Sequence, residues 1–200
     1  MSKFNEMLKE SSLSRIYNST KEHDCGTISA FRSAKDCNEG EAFSLKDNKK
    51  RSSILKAKLL QLGYGVTKIA GTYVENYGKP NAVNVKEDSY FVVDLKDDKK
   101  LKKNLVKLGL QFEQDSITFQ EKDGSYYLIS SNKCPDGYPG NGTLGKEVKL
   151  GKPIFGKDGV FHSKINGRPF IFENLIRHNE LLIDHTPTEI RSILKLSEIN

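Results

Sequence analysis

Two hundred residues with 36% apolar and 29% charged content can bury one core of ordinary size with extensions, but not two large ones. A formal charge of +6 favours solubility and weak attraction to polyanions, and no apolar run approaches the ~18 residues that span a bilayer, which excludes a membrane partner. Cys25, Cys37 and Cys134 are odd in number and lack CxxC spacing, so free thiols in a cytoplasmic chain are expected.

The opening, MSKFNEMLKESS, mixes acids with bases around no apolar centre and does not read as a signal peptide. Phe4, Met7 and Leu8, then Ile16 and Tyr17, fit an amphipathic leader over residues 1–22 that docks on the main domain. GTISAFRS predicts a first strand ending at Arg32. Ser44 and Asp47 form a variant capping box that starts a helix with Leu45, Ile54, Leu55, Leu59 and Leu62 inward, ended by Gly63 or Gly65. GVTKIAGTYVEN and SYFVVDL predict two strands, with Gly71 marking a bulge or a close approach and YGKPNAVNVKE as the loop between them. Asp97 or Asp98 is expected to cap a second helix that buries Leu101, Leu105, Leu108 and Phe112. SITFQEK and SYYLISS, joined by a KDG turn, complete the set.

This order is a ferredoxin-like β-α-β-β-α-β core with an extra strand, an α+β fold, over residues 23–132. A Gly/Pro-rich loop at 133–149 leads to an appendage at 150–200. There Asn166-Gly167 predicts a hairpin, and Thr186-Pro187-Thr188-Glu189 starts a terminal helix. Both basic helices should lie on one side of the sheet, where their lysines form a solvated face.

In that topology the first strand is antiparallel to the third and fourth, which flank it. Its end at Arg32 should meet their starts, which carry Glu87, Asp88 and Ser89 on one side and Gln114, Asp115 and Ser116 on the other. Asp47, Asn48 and Arg51, at the first helix start, come to the same edge. The convergence reads either as an anion or nucleotide pocket or as ion pairs that tie strand ends to helix ends. The four histidines lack metal-ligand spacing, no phosphate-binding glycine motif is present, and no nucleophile is indicated. No cofactor and no metal are expected, and the lack of a catalytic motif leans away from an enzyme.

Ile28-Ser29-Ala30, Asp47-Asn48-Lys49-Lys50-Arg51-Ser52, Glu87-Asp88-Ser89-Tyr90 and Phe112-Glu113-Gln114-Asp115-Ser116-Ile117 carry a resemblance. They are similar to the I-T-A, E-N-x-x-R-N, E-E-S-F and F-x-Q-x-[AS]-I segments of a bacterial and phage domain family of unknown function. Ser52 departs from it, since an amide would be expected there. The leader also resembles the openings of accessory proteins of T-even-like phages, one group of which neutralises a host DNA ADP-ribosyltransferase. The resemblance implies a counter-defence protein of the host cytoplasm that binds and inhibits a host toxin or defence factor. The alternatives are a nucleotide- or nucleic-acid-binding domain, with or without hydrolysis, that uses the Arg32, Arg51, Glu87, Gln114 edge, and a virion component.

Overall fold

The computed structural model describes residues 15–32, 43–75, 83–133, 139–140, 142–155, 162–165 and 168–172. The expected terminal helix and the first fourteen residues of the leader lie outside them. Helix α1 covers residues 15–22. It is followed by β1 (Cys25–Ser29), α2 (Leu45–Gln61), β2 (Gly65–Glu75), β3 (Val83–Val93), α3 (Leu101–Gln111), β4 (Ser116–Gln120) and β5 (Tyr126–Ser130). Four further strands are β6 (Glu147–Gly151), β7 (Pro153–Phe155), β8 (His162–Ile165) and β9 (Arg168–Phe172).

The strands form one sheet in the order β6-β5-β4-β1-β3-β2-β8-β9-β7. Its β4-β1-β3-β2 centre has the expected ferredoxin-like arrangement: β1 is antiparallel to β3, with Ser29 opposite Ser89, and to β4, with Cys25 opposite Gln120. The α+β fold with an extra strand therefore stands. The hairpin forms as well, with Ile165 opposite Arg168, and β8 joins it to the sheet by pairing with Ala70–Thr72 of β2. Strands β6 and β7 were not expected, and β3 starts at Val83 inside the expected loop. Among the described residues no helix is long and apolar enough to cross a membrane.

Alternation along the strands gives the sheet two buried faces. Ile28, Tyr90, Val92, Ile117 and Phe119 pack under α2 and α3. Cys25, Phe91, Val93 and Tyr126 face the other way and pack against Ile16 of α1. Helix α1, the described end of the leader, thus docks on the side opposite the two basic helices. Backbone bonds secure it: Thr20 O accepts from Gln120 Nε2 (3.1 Å) and from Asp123 N–H (2.9 Å).

Helix α3 buries Leu101, Leu105 and Leu108 as expected, but α2 does not follow its apolar pattern. Leu45, Ile54 and Leu62 are exposed, and the inward stripe runs through Asn48, Ser52, Leu55 and Leu59. The first half of α2 lies over the end of β1, where backbone groups need polar partners and an apolar side chain would strand them. Ser44 does cap α2, its Oγ accepting from Asp47 N–H at 3.2 Å. Neither Asp97 nor Asp98 caps α3: its N-cap is Lys100, which makes no side-chain cap bond. Asp97 and Lys99 instead take positive φ (50° and 61°), and Asp98 Oδ1 accepts from Lys100 N–H at 3.0 Å.

Both helices end in Schellman motifs. Tyr64 N–H donates to Leu59 O and Gly63 N–H to Leu60 O after α2, with Gly63 at φ 87°. After α3, Gln114 N–H donates to Gly109 O and Glu113 N–H to Leu110 O, with Glu113 itself at φ 57°. That left-handed step turns Gln114 back toward β1.

Candidate active site

The residues expected to converge separate into two groups. Arg32, Asn48, Arg51 and Gln114 meet where β1 ends. Asn48 is buried: its Oδ1 accepts from Arg32 N–H (2.8 Å), and its Nδ2 donates to Arg32 O and Phe43 O (3.1 Å each). Arg51 Nε donates to Ala30 O (3.0 Å) and Nη2 to Phe112 O (2.6 Å), while its guanidinium stacks 4.0 Å from the Phe43 ring centre. Gln114 Nε2 donates to Phe31 O and Phe112 O, both at 2.9 Å. Arg32 Nη1 donates to Glu113 O.

This group is a clamp that satisfies backbone carbonyls left over where β1 and α3 stop. Two carboxylates complete it, Asp115 from the expected edge and Glu113 from outside it: Glu113 lies 3.8 Å from Arg51, and Asp115 lies 3.9 Å from Arg32. Burial lowers the Arg51 guanidinium from its ordinary value, Glu113 opposing the shift and Arg32 adding to it. Asp47 stays at the exposed N-cap of α2, where its carboxylate accepts from Ser44 Oγ at 2.5 Å.

The second group is on β3 and its neighbours. Asp88 faces the helix side and pairs with Lys68 at 2.7 Å. Glu87 and Ser89 share the opposite face with Phe91, and Ser89 Oγ donates to Glu87 Oε1 at 3.3 Å. Ser29 lies opposite Ser89 and is buried, its Oγ donating to Asp88 O (3.1 Å) and accepting from Phe31 N–H (3.0 Å). Gly71 is Glu87's partner across the strand pair. Glu87 is half-buried, Ser89 is buried and Ser116 is half-buried at the start of β4. This face therefore presents a carboxylate, two hydroxyls and a glycine beside the clamp that fixes the strand ends.

A second polar cluster sits at the far end of the sheet. Buried Asp24 accepts from Lys122 N–H (2.9 Å) and Lys99 Nζ (3.3 Å), and His23 Nδ1 lies 3.1 Å from Asp97 Oδ1. Burial pushes the adjacent Cys25 thiol far up, Asp24 adding to the shift. A recess at that end, lined by Lys102, Phe119, Tyr127 and Glu147, is bridged by the 2.5 Å Lys102–Glu147 ion pair. Among the described residues no cluster of three or more His, Cys, Asp or Glu can hold a metal ion.

A model of the S-adenosylmethionine lyase family matches residues 26–153, which run from β1 to the first residue of β7 and include both groups of the edge. The comparison with curated proteins gives no match. Among solved structures, a phage SAM lyase in complex with S-methyl-5′-thioadenosine is 16% identical, covers 54% of this chain and 89% of its own, and superposes with a TM-score of 0.30. A likeness of that extent carries no argument about the site.

The family match corrects the functional expectations. The segments from Ile28 to Ile117 belong to a family with a named reaction, not to one of unknown function. Inhibition of a host factor such as a DNA ADP-ribosyltransferase falls with that, and so do the nucleic-acid-binding, hydrolytic and virion alternatives. The arginines on which anion binding was to rest point their donors at Ala30, Phe112 and Glu113 carbonyls. With more than half of its length matched, from residue 26 to residue 153, the chain belongs to the S-adenosylmethionine lyase family.

Proposed function

We propose that the chain is an enzyme that breaks a carbon–sulfur bond of S-adenosylmethionine without using water. The observation that carries this reading is the family match over residues 26–153. The substrate is a trialkylsulfonium joined to an adenosyl group, a methyl and a 3-amino-3-carboxypropyl chain. It is a small nucleoside derivative, so the partner is neither a host protein nor a nucleic acid.

The chemistry explains why no nucleophile is needed. The substrate's own carboxylate oxygen attacks its Cγ, the O–Cγ bond forms, and the Cγ–S bond breaks with its electron pair going to sulfur. A lactone and a neutral thioether result, and no proton moves. Opposite charges cancel along this path, so a partly dry site that holds the chain folded toward Cγ lowers the barrier. A missing nucleophile motif, which on sequence alone leans away from catalysis, is what such a reaction expects.

In this reading the face bearing Glu87, Ser89 and Ser29 receives the substrate. The half-buried Glu87 carboxylate holds a cationic group, because a charge pair is stronger in a low-dielectric site than in water. Arg32, Asn48, Arg51 and Gln114 hold that face in place, with Ser116 at its margin, while Asp47 and Asp88 lie on the helix side of the sheet. The test is incubation of the purified protein with S-adenosylmethionine in heavy-oxygen water, followed by mass spectrometry. Loss of substrate with a methylthioadenosine thioether and an unlabelled four-carbon product is expected. An intact substrate, or heavy oxygen in the newly formed product, would sink the proposal.

A further inference from the structure

We infer that the recess on the helix side of β4, β5 and β6 is a second ligand site, one that takes a compact organic cation such as a quaternary ammonium or a sulfonium. It does not rest on the lyase reading, because Glu87 and Ser89 share the opposite face of the sheet with Phe91. Helices α2 and α3 pack over β1, β2, β3 and β4, and the sheet continues past them through β5 to β6. There the floor of the recess is Phe119 and Tyr127, which stand opposite each other in the β4–β5 register and belong to the helix-side core. Its walls are Lys102 from the first turn of α3, Glu147 from β6, and Glu121, Gly124 and Ser125 from the β4–β5 turn. They bound about 280 Å³, room for a small molecule rather than a nucleoside.

The charges in the recess select the ligand. Lys102 Nζ lies 2.5 Å from Glu147 Oε1 and 5.7 Å from the Phe119 ring centre, so this ammonium is already matched by a carboxylate. The Glu121 carboxylate is not: it has no hydrogen bond and no ion pair among the described residues. Tyr127 is untethered in the same way. Tyr64 and Tyr90 of the helix-side core are buried and use their hydroxyls, Tyr64 Oη accepting from Asn104 Nδ2 (2.7 Å) and Tyr90 Oη donating to Ser52 O (3.2 Å). Tyr127 is only half-buried, and its hydroxyl has no such partner among the described residues. An open aromatic ring beside an unmatched carboxylate attracts a cation through both the ring quadrupole and the charge. An anion would face Glu121 and Glu147 together, and an uncharged apolar molecule would take water from Glu121 without replacing it. A metal ion is not served either, since no cluster of three or more His, Cys, Asp or Glu among the described residues can hold one.

The test is an NMR titration of the full chain with tetramethylammonium chloride, read at the Gly124 and Ser125 amides and at the Tyr127 ring. Sodium chloride is the matched salt and tert-butanol the uncharged analogue. Tetramethylammonium is expected to give saturable shifts at these positions, and neither control should do so. Tyr127→Ala should weaken binding about 3- to 30-fold, the scale of one cation–aromatic contact. Glu121→Gln should weaken it about 2- to 5-fold, the scale of an exposed ion pair. Lys102→Gln should tighten it, because a like charge leaves and the Glu147 carboxylate is released. A response that never saturates, or equal shifts with tert-butanol, overturns the inference. Unchanged affinity in Glu121→Gln overturns it as well, and that exposed substitution leaves the core intact whatever Tyr127→Ala does to folding.

Discussion

Replacing Asn48 by Ala should destabilise the protein by about 3 kcal/mol, although the residue touches no apolar core. The Asn48 side chain is 3% exposed and makes three bonds, accepting from Arg32 N–H and donating to the carbonyls of Arg32 and Phe43. Each such bond contributes about 0.5–1.5 kcal/mol net, and a buried partner left without one costs about 1–3 kcal/mol. Arg32 N–H loses its partner on a residue that is only 8% exposed, while Arg32 O keeps the bond from Phe43 N–H (3.0 Å). For a chain of this size the loss corresponds to a fall in Tm of about 6–12 °C. Asn48→Asp should recover little, because its carboxylate can keep the bond from Arg32 N–H but turns an oxygen toward two carbonyls. Urea unfolding followed by far-UV circular dichroism measures the change as a shift in midpoint at constant slope. A shift under about 0.5 kcal/mol in Asn48→Ala would show that water replaces the side chain and that the clamp holds nothing.

Two further outcomes concern buried groups. Burial, with Asp24, Asp94 and Asp97 adding, raises the Cys25 thiol far above its ordinary value. The unfolded chain ionises near ~8.5 while the folded thiol stays protonated, so this contribution is complete below about pH 8.5. Above that it is lost by up to about 1.4 kcal/mol per pH unit. The stability gap between wild type and Cys25→Ala should therefore narrow from pH 8 to pH 10, and parallel urea midpoints across that range would refute the account. Gly26→Ala should cost about 3 kcal/mol or prevent folding, because its methyl meets backbone rather than a pliable side chain. An unchanged urea midpoint in that variant would show that β1 and β4 separate easily.

The parts of the fold that follow one regular pattern were legible. Helix α3 repeats Leu101, Leu105 and Leu108 at helical spacing, and Asn166-Gly167 marks the β8–β9 hairpin. Helix α2 was placed correctly and turned wrongly, because its inward positions Asn48 and Ser52 are polar and serve the end of β1 rather than the apolar layer. The start of β3 was hidden because Glu87 and Ser89 stand where the alternation begun by Val83 and Val85 calls for apolar residues. Topology did bring Arg32, Asn48, Arg51 and Gln114 together, as strand order alone demands. Sequence could not show that their donors would be spent on Ala30, Phe31 and Phe112 carbonyls, since every residue has a carbonyl and none is distinctive. The proposed reaction was not legible for a related reason: a substrate that supplies its own nucleophile would ask for no side-chain motif.

The central position of β1 has a consequence for synthesis. Cys25–Ser29 pairs on one edge with residues 89–93 and on the other with residues 118–120, so neither partner exists when β1 leaves the ribosome. At about 5–20 residues per second the strand waits roughly 5–20 s for Gln120 to emerge after it. Strands β2 and β3, separated by residues 76–82, pair along eleven residues and can close in the meantime. Strand β1 then has to enter between β3 and a β4 that has just arrived, bringing the burial of Cys25 and Ile28 with it. Until residue 93 emerges β1 has two open edges, and until Gln120 emerges it still has one, the kind of segment that chaperones bind.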